Sequence, residues 1–280
     1  YNASFTMENN IFYDNYGPDI FTKDTGGQQG RNIVIRYNFF APSSLRANVG
    51  IDFHNQDAQV DRIYVEHNIF LKKRSGISWS APGRRGAIVH NNTFVDCGFG
   101  MGEKGDISAW QNHKINVFNN IYYHSKKGQV FYDIQTKPWS KLESDFNLFY
   151  STTGETSWWH RYRICAKDLA AWQAYSGRDR NSVWKDPKFI NPRGSSPEDF
   201  KRRGKCRDVV GSPYGHVCGA YEPHPVSWTQ DCSYSCGLPS FFFSPSSSFR
   251  RAYISMSLDN PLGVIFLSKF LKSLIELRNT

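Results

Sequence analysis

Six copies of one eight-residue template, recurring every 24 to 30 residues without helical patterning, predict an all-β solenoid. The expected form is a right-handed parallel β-helix of about six coils, followed by a short helix and an irregular C-terminal segment. The copies are FTMENNIF (Phe5 to Phe12), IVIRYNFF (Ile33 to Phe40), IYVEHNIF (Ile63 to Phe70), AIVHNNTF (Ala87 to Phe94), INVFNNIY (Ile115 to Tyr122) and LESDFNLF (Leu142 to Phe149). Each reads apolar, any, apolar, any, any, Asn, any, aromatic. Of the eighteen apolar positions only Ser144 departs.

Every position of the template has a physical reason. Apolar alternation over the first three residues makes a short half-buried strand, and the aromatic two residues after the Asn turns back into the same core. An Asn at the bend tolerates a left-handed backbone and bonds locally. Stacked at one corner, the amides of Asn10, Asn38, Asn68, Asn92, Asn120 and Asn147 are expected to bond to one another as a ladder.

A second strand per coil is expected at Gly17–Phe21, Gly50–His54, Gly76–Ser80, Gly98–Gly102 and Gly128–Tyr132. In the middle three, Ile51/Phe53, Ile77/Trp79 and Phe99/Met101 point inward, and Asp52/His54, Ser78/Ser80 and Gly100/Gly102 point out.

Composition narrows the function classes. The chain has 280 residues, is 16% aromatic and has a mean hydropathy of -0.56, which excludes a wholly disordered chain and argues against a polytopic membrane protein. Lys and Arg outnumber Asp and Glu by 34 to 25, a net charge of +9 that suits a polyanionic partner. No helix-turn-helix, zinc or aromatic RNA-binding motif is present, so nucleic acid is not the expected partner. The six cysteines (97, 165, 206, 218, 232 and 236) contain no CxxC pair and suggest no structural zinc. Their even count and wide spacing fit two or three disulfides of an exported protein, and fit a few buried thiols as well.

The closing part of the repeat region carries a more specific pattern. It runs through Asp168-Leu169-Ala170-Ala171-Trp172-Gln173, Gly177 to Ser182, Asp186-Pro187-Lys188-Phe189, Asp199-Phe200, Gly211-Ser212-Pro213 and Gly219-Ala220-Tyr221-Glu222. Together with the Asn-x-aromatic coils, it resembles the pectate lyase-like superfamily of right-handed β-helix proteins, which includes polysaccharide lyases, epimerases and some glycoside hydrolases. The resemblance covers residues 1–223 and implies a secreted, extracellular or periplasmic protein, expected to be a monomer, that acts on a uronate-containing polysaccharide. Residues 224–280 form a separate low-complexity and amphipathic extension, whose apolar stretch from Leu262 to Leu277 is broken by Lys269, Lys272 and Glu276 and is too short and charged to read as a membrane span. The first strand begins within a few residues of Tyr1, leaving no room for a cap on the first coil, so N-terminal coils are expected to be missing.

Stacked coils place equivalent side chains in columns about 4.8 Å apart, suited to an extended ligand. Outward columns therefore supply the candidate site. A trough at Ser78, Ser80, Gly100 and Gly102 is flanked by Asp52, His54, Glu103, Lys104 and Asp133. Basic loops lie at Lys72 to Arg74, Arg84-Arg85, Lys126-Lys127 and Arg161 to Arg163, and Trp110, Trp139, Trp158 and Trp159 are candidates for stacking on sugars, with Trp79 assigned to the interior. A lyase needs a base for the proton α to the uronate carboxylate and a cation for the developing enolate. His54, Arg84, Arg85 and Lys104 are the candidates for those roles, with calcium as a further cation and Asp52, Glu103, Asp133, Arg36 and His90 as substrate-binding residues. A hydrolase would instead use two carboxylates drawn from Asp52, Glu103 and Asp133, and a non-catalytic glycan-binding scaffold would use the trough alone. The column Glu8, Arg36, Glu66, His90, Phe118 also reads as a surface salt-bridge ladder.

Overall fold

The computed structural model describes residues 4–15, 17–22, 31–43, 48–53, 60–79, 86–99, 105–109, 114–134, 142–155, 157–160, 163–203, 208–215 and 217–220. All lie in the first of two compact units, Tyr1–Pro245; the second, Ser246–Thr280, and the whole extension from residue 224 lie outside the described residues.

The chain makes three short strands per turn. The first coil is β1 (Phe5–Glu8), β2 (Ile11–Phe12) and β3 (Ile20–Thr22), and the second is β4 (Arg31–Arg36), β5 (Phe39–Phe40) and β6 (Val49–Phe53). Next come β7 (Val60–Glu66), β8 (Ile69–Leu71) and β9 (Ser75–Trp79), then β10 (Ala87–His90), β11 (Thr93–Val95) and β12 (Gly105–Ala109). The fifth coil is β13 (Ile115–Phe118), β14 (Ile121–His124) and β15 (Tyr132–Ile134), and the sixth is β16 (Leu142–Asp145), β17 (Leu148–Ser151) and β18 (Trp158–His160). β19 (Arg163–Ala166), helix α1 (Leu169–Ser176), β20 (Val183–Trp184) and a 3-10 turn at Pro197–Phe200 follow. First, second and third strands stack into three separate sheets, parallel throughout except where β19 returns antiparallel to β18. The fold is thus a parallel β-helix. Only four turns, β4 to β15, have a coil on both sides, fewer than the six counted from the sequence.

The ladder forms at every step. From Asn10 to Asn120, one side-chain N–H of each Asn donates to the Asn oxygen of the next coil at 3.0 to 3.1 Å, and the backbone N–H of the same residue reaches that oxygen too. The left-handed residue, however, is the one before: Asn9, Tyr37, His67, Asn91, Asn119 and Phe146 have φ between 53° and 59°. That residue reverses the chain, so the ladder Asn behind it turns inward instead of bending itself.

Beside the ladder, Phe12, Phe40, Phe70, Phe94, Tyr122 and Phe149 stack at 4.5 to 5.0 Å through the core. The third strands run close over this stack: a Cβ on Gly76 would lie 2.5 Å from the Phe94 ring, and one on Gly50 would lie 2.7 Å from the ring of Phe70.

In the fourth coil the third strand is β12, and of the strand expected at Gly98–Gly102 residues 100–102 lie outside the described residues. Gly98 is left-handed and Phe99 is exposed, while Ile107 takes the inward place beside Ile77 and Tyr132. The glycine alternation imitates a strand pattern but offers no side chains to bury. Likewise β15 starts at Tyr132, four residues after Gly128.

The outer face of the second sheet carries its own apolar cluster. Ile69, Leu71, Val95, Ile121 and Leu148 pack with Phe189, Phe200, Val209, Cys218 and Ala220, so the C-terminal segment covers this face as well as ending the solenoid. Helix α1 begins at the cap Asp168, whose carboxylate accepts the Ala171 N–H at 2.7 Å, and ends at left-handed Gly177. Its Trp172 is buried against Trp158. Cys97, Cys165 and Cys218 are free thiols, which leaves three cysteines and at most one disulfide, not the expected two or three.

Candidate functional site

The outward column of the third sheet reads, in register, Phe21, Asp52, Ser78, Ser108, Asp133 and Trp159. Aromatic residues stand at both ends, carboxylates next to them and two serines in the centre. The register sets Phe21 beside Asp52 and Asp133 beside Ser108. The repeat of Ile77-Ser78 in Ile107-Ser108 was the available sequence signal for this. Ser78, Ser108 and Asp133 are only 2%, 0% and 0% exposed, whereas Asp52 is half-buried. Three strand spacings separate Asp52 from Asp133, about 14 Å. Hydrolase carboxylates stand at most about 9.5 Å apart, so these two do not form such a pair. Nor do they share a calcium ion, whose oxygen ligands lie about 2.3–2.6 Å away. Among the described residues no three His, Cys, Asp or Glu side chains converge as metal ligands.

Arg36 and His90 lie on a different face, the outside of the first sheet. There Arg36 bonds to Glu8 at 2.6 Å and lies 3.7 Å from Glu66, and Glu66 meets His90 at 2.8 Å. The column is a salt-bridge ladder. The bond from His90 holds the Glu66 carboxyl below its usual range, against the opposing effect of burial. The other His90 nitrogen faces the side-chain oxygen of Asn91 at 2.9 Å, and Asn91 donates its N–H to Val217 O. Tyr214 stacks on the His90 ring at 4.3 Å, and Asn119 donates to Gly215 O at 2.8 Å. Thus the left-handed Asn91 and Asn119 hold the segment around residues 214–217 across the turns. The contacts that Asn91 and Asn119 make with that segment were not foreseen.

The candidates are therefore divided. Asp52 and Asp133 share one column, Arg36 and His90 share another, and His54, Arg84, Arg85, Glu103 and Lys104 lie outside the described residues, as do Trp110 and Trp139. Trp158, like Trp79, is buried in the core, whereas Trp159 is half-exposed.

A sealed ion pair and a sealed His–carboxylate contact also escaped sequence reading. Lys73 meets Asp19 at 2.5 Å and His124 meets Asp106 at 2.9 Å, with all four side chains 0% exposed. Burial pushes the Asp106 carboxyl up and the Lys73 ammonium down, each effect opposed by the partner. Sealed from solvent, neither pair reaches a polymeric substrate. The buried Cys97 and Cys218 thiols, raised well above the usual range by desolvation, are not nucleophiles.

No helix among the described residues is long and apolar enough to cross a membrane. No protein-family model, curated protein or solved structure matches this chain.

Proposed function

We propose that the chain is a carbohydrate-active β-helix protein of the pectate lyase-like kind, cleaving a uronate-containing polysaccharide by β-elimination. The observation that carries the choice of chemistry is the spacing of about 14 Å between Asp52 and Asp133, which argues against two-carboxylate hydrolysis by these residues. Elimination needs one base and a cationic partner. The base removes the proton α to the uronate carboxylate, the cation steadies the enolate, and the bond to the leaving oxygen breaks as the double bond forms. His54, Arg84, Arg85 and Lys104 are the proposed sources of these groups. The net charge of +9 supports a polyanionic substrate.

A second reading, a non-catalytic glycan-binding scaffold, is favoured by the deep burial of Ser78, Ser108 and Asp133, which leaves no open carboxylate at the middle of the column. One experiment separates the two. The protein is incubated with alginate, pectate and glycosaminoglycans while ultraviolet absorbance, reducing ends and binding are followed. Unsaturated product that disappears in His54→Ala or Arg85→Ala supports the lyase; reducing ends without it indicate hydrolysis, and binding alone indicates the scaffold. Absence of both turnover and binding removes the proposal.

A further inference from the structure

We propose that Lys73 and Asp19 form an intramolecular crosslinking site, at which the lysine amine and the aspartate carboxyl condense to an isopeptide bond with loss of water. Lys73 lies between β8 and β9 of the third coil and Asp19 leads into β3 of the first, so the bond ties the first coil to the third across the second. Lys73 Nζ stands 2.5 Å from Asp19 Oδ2, and both side chains are 0% exposed. With a C–O bond of about 1.23 Å, the nitrogen is at most about 3.7 Å from Asp19 Cγ, beside the near-attack range of about 3–3.5 Å. Apart from this contact, neither atom has a hydrogen-bond partner among the described residues.

The surroundings supply what such a reaction needs. The other carboxylate oxygen, Oδ1, accepts an N–H from Asn15 at 3.0 Å and one from the buried Asn48 at 3.2 Å. Attack of the amine on Cγ moves negative charge onto Oδ1, where these two side-chain amides already stand as an oxyanion hole. Backbone bonds between coils hold the groups in place: Asp19 N–H donates to Val49 O, and Arg74 N–H to Asn48 O, both at 2.9 Å. Burial also lowers the proton affinity of Lys73, against the opposing effect of Asp19, and so favours the neutral, nucleophilic amine.

The step balances without an oxidant or any other co-reactant. One proton passes from the ammonium to Oδ2, and the nitrogen lone pair then forms the bond to Cγ. A second proton follows from nitrogen to Oδ2, and the Cγ–Oδ2 bond breaks to release water. Asp14, which acts electrostatically on Lys73, is a carboxylate that can relay the second proton. Condensation also removes the cost of keeping two charges out of water, because the product amide is neutral.

The test is mass spectrometry of the folded full chain, intact and after denaturation and digestion. The expected intact mass is one water, about 18 Da, below that of the sequence. Trypsin is expected to leave Lys73 uncut and to yield a branched peptide joining residues 1–23 to Lys73. That peptide assigns the bond in the parent itself, whether or not a variant folds. Lys73→Arg keeps a positive charge opposite Asp19 but has no nucleophilic amine, and it is expected to retain its full mass. A folded parent of full mass, a lost water that maps to residues other than Lys73 and Asp19, or the same loss in Lys73→Arg overturns the proposal.

Discussion

Asn147 donates its side-chain amide to Asp179 across 2.9 Å, so the Asn ladder ends on a buried carboxylate. Asp179 also accepts from Ser144, Ser182 and Trp172 at 2.7 to 2.9 Å. Because one N–H of each ladder amide donates in this direction while the other is held by backbone carbonyls, the carboxylate ends an aligned chain of hydrogen bonds, and such chains strengthen each member. Burial pushes the Asp179 carboxyl up, and its four side-chain donors pull it back.

Asp179→Asn puts an N–H₂ among those donors. The expected loss is about 2–4 kcal/mol, the scale of a buried network left partly unsatisfied. Urea unfolding measures it, and a loss under about 0.5 kcal/mol, the range of an ordinary surface substitution, would refute the role of Asp179 as the ladder's anchor.

Position along the ladder sets the cost of losing an Asn. Asn92 both donates and accepts within a fully buried row, whereas the Asn10 oxygen accepts nothing from another coil among the described residues. Asn92→Ala is therefore expected to destabilise by about 3 kcal/mol and Asn10→Ala by less than about 1 kcal/mol. Equal losses in thermal or denaturant unfolding contradict the ladder as a source of stability.

The fate of Ser144 shows how far the sequence was legible. As the single misfit among the apolar positions it looked like noise, yet its hydroxyl donates to Asp179, 35 residues away. Ladder and ring stack were readable because a fixed period puts identical residues at identical places. Partners brought in by the irregular closing segment, such as Tyr214 on His90 or Phe189 over the second sheet, have no period to betray them. The third strand of the fourth coil was misplaced for a local reason, since Gly98, at the start of the alternation that imitated a strand, is left-handed and Phe99 is exposed. The candidate site was the least legible part, because column membership depends on register, and loops of unequal length put Ser108 between Ser78 and Asp133.

Glu66 makes stability pH-dependent. Its carboxyl is held below the usual range mainly by the bond to His90, so the folded state binds this proton less readily than the unfolded chain. The associated stability is present above the ordinary Glu range, about 4.3, and is lost as the pH falls through the depressed folded value. Unfolding midpoints between pH 7 and pH 3 are expected to fall less in Glu66→Gln than in the parent. Parallel pH profiles for the two proteins would show that the ladder around Glu66 contributes nothing measurable.

The sealed Asp106 and His124 pair gives the sharpest energetic test. Removing one partner leaves the other buried and uncompensated, so His124→Phe alone is expected to cost about 3–5 kcal/mol at neutral pH. Asp106→Leu with His124→Phe removes both buried polar partners together, and the double variant is expected to lie within about 1 kcal/mol of the parent or above it. The single variant also carries a pH signature. Burial raises the Asp106 carboxyl and His124 opposes that rise, so without His124 the folded state binds a proton that the unfolded chain releases, and stability lost at neutral pH returns as the pH falls. A double-mutant cycle followed from pH 8 to pH 4 measures both effects. Additive losses with no recovery in acid would mean that the pair is not coupled in the folded protein.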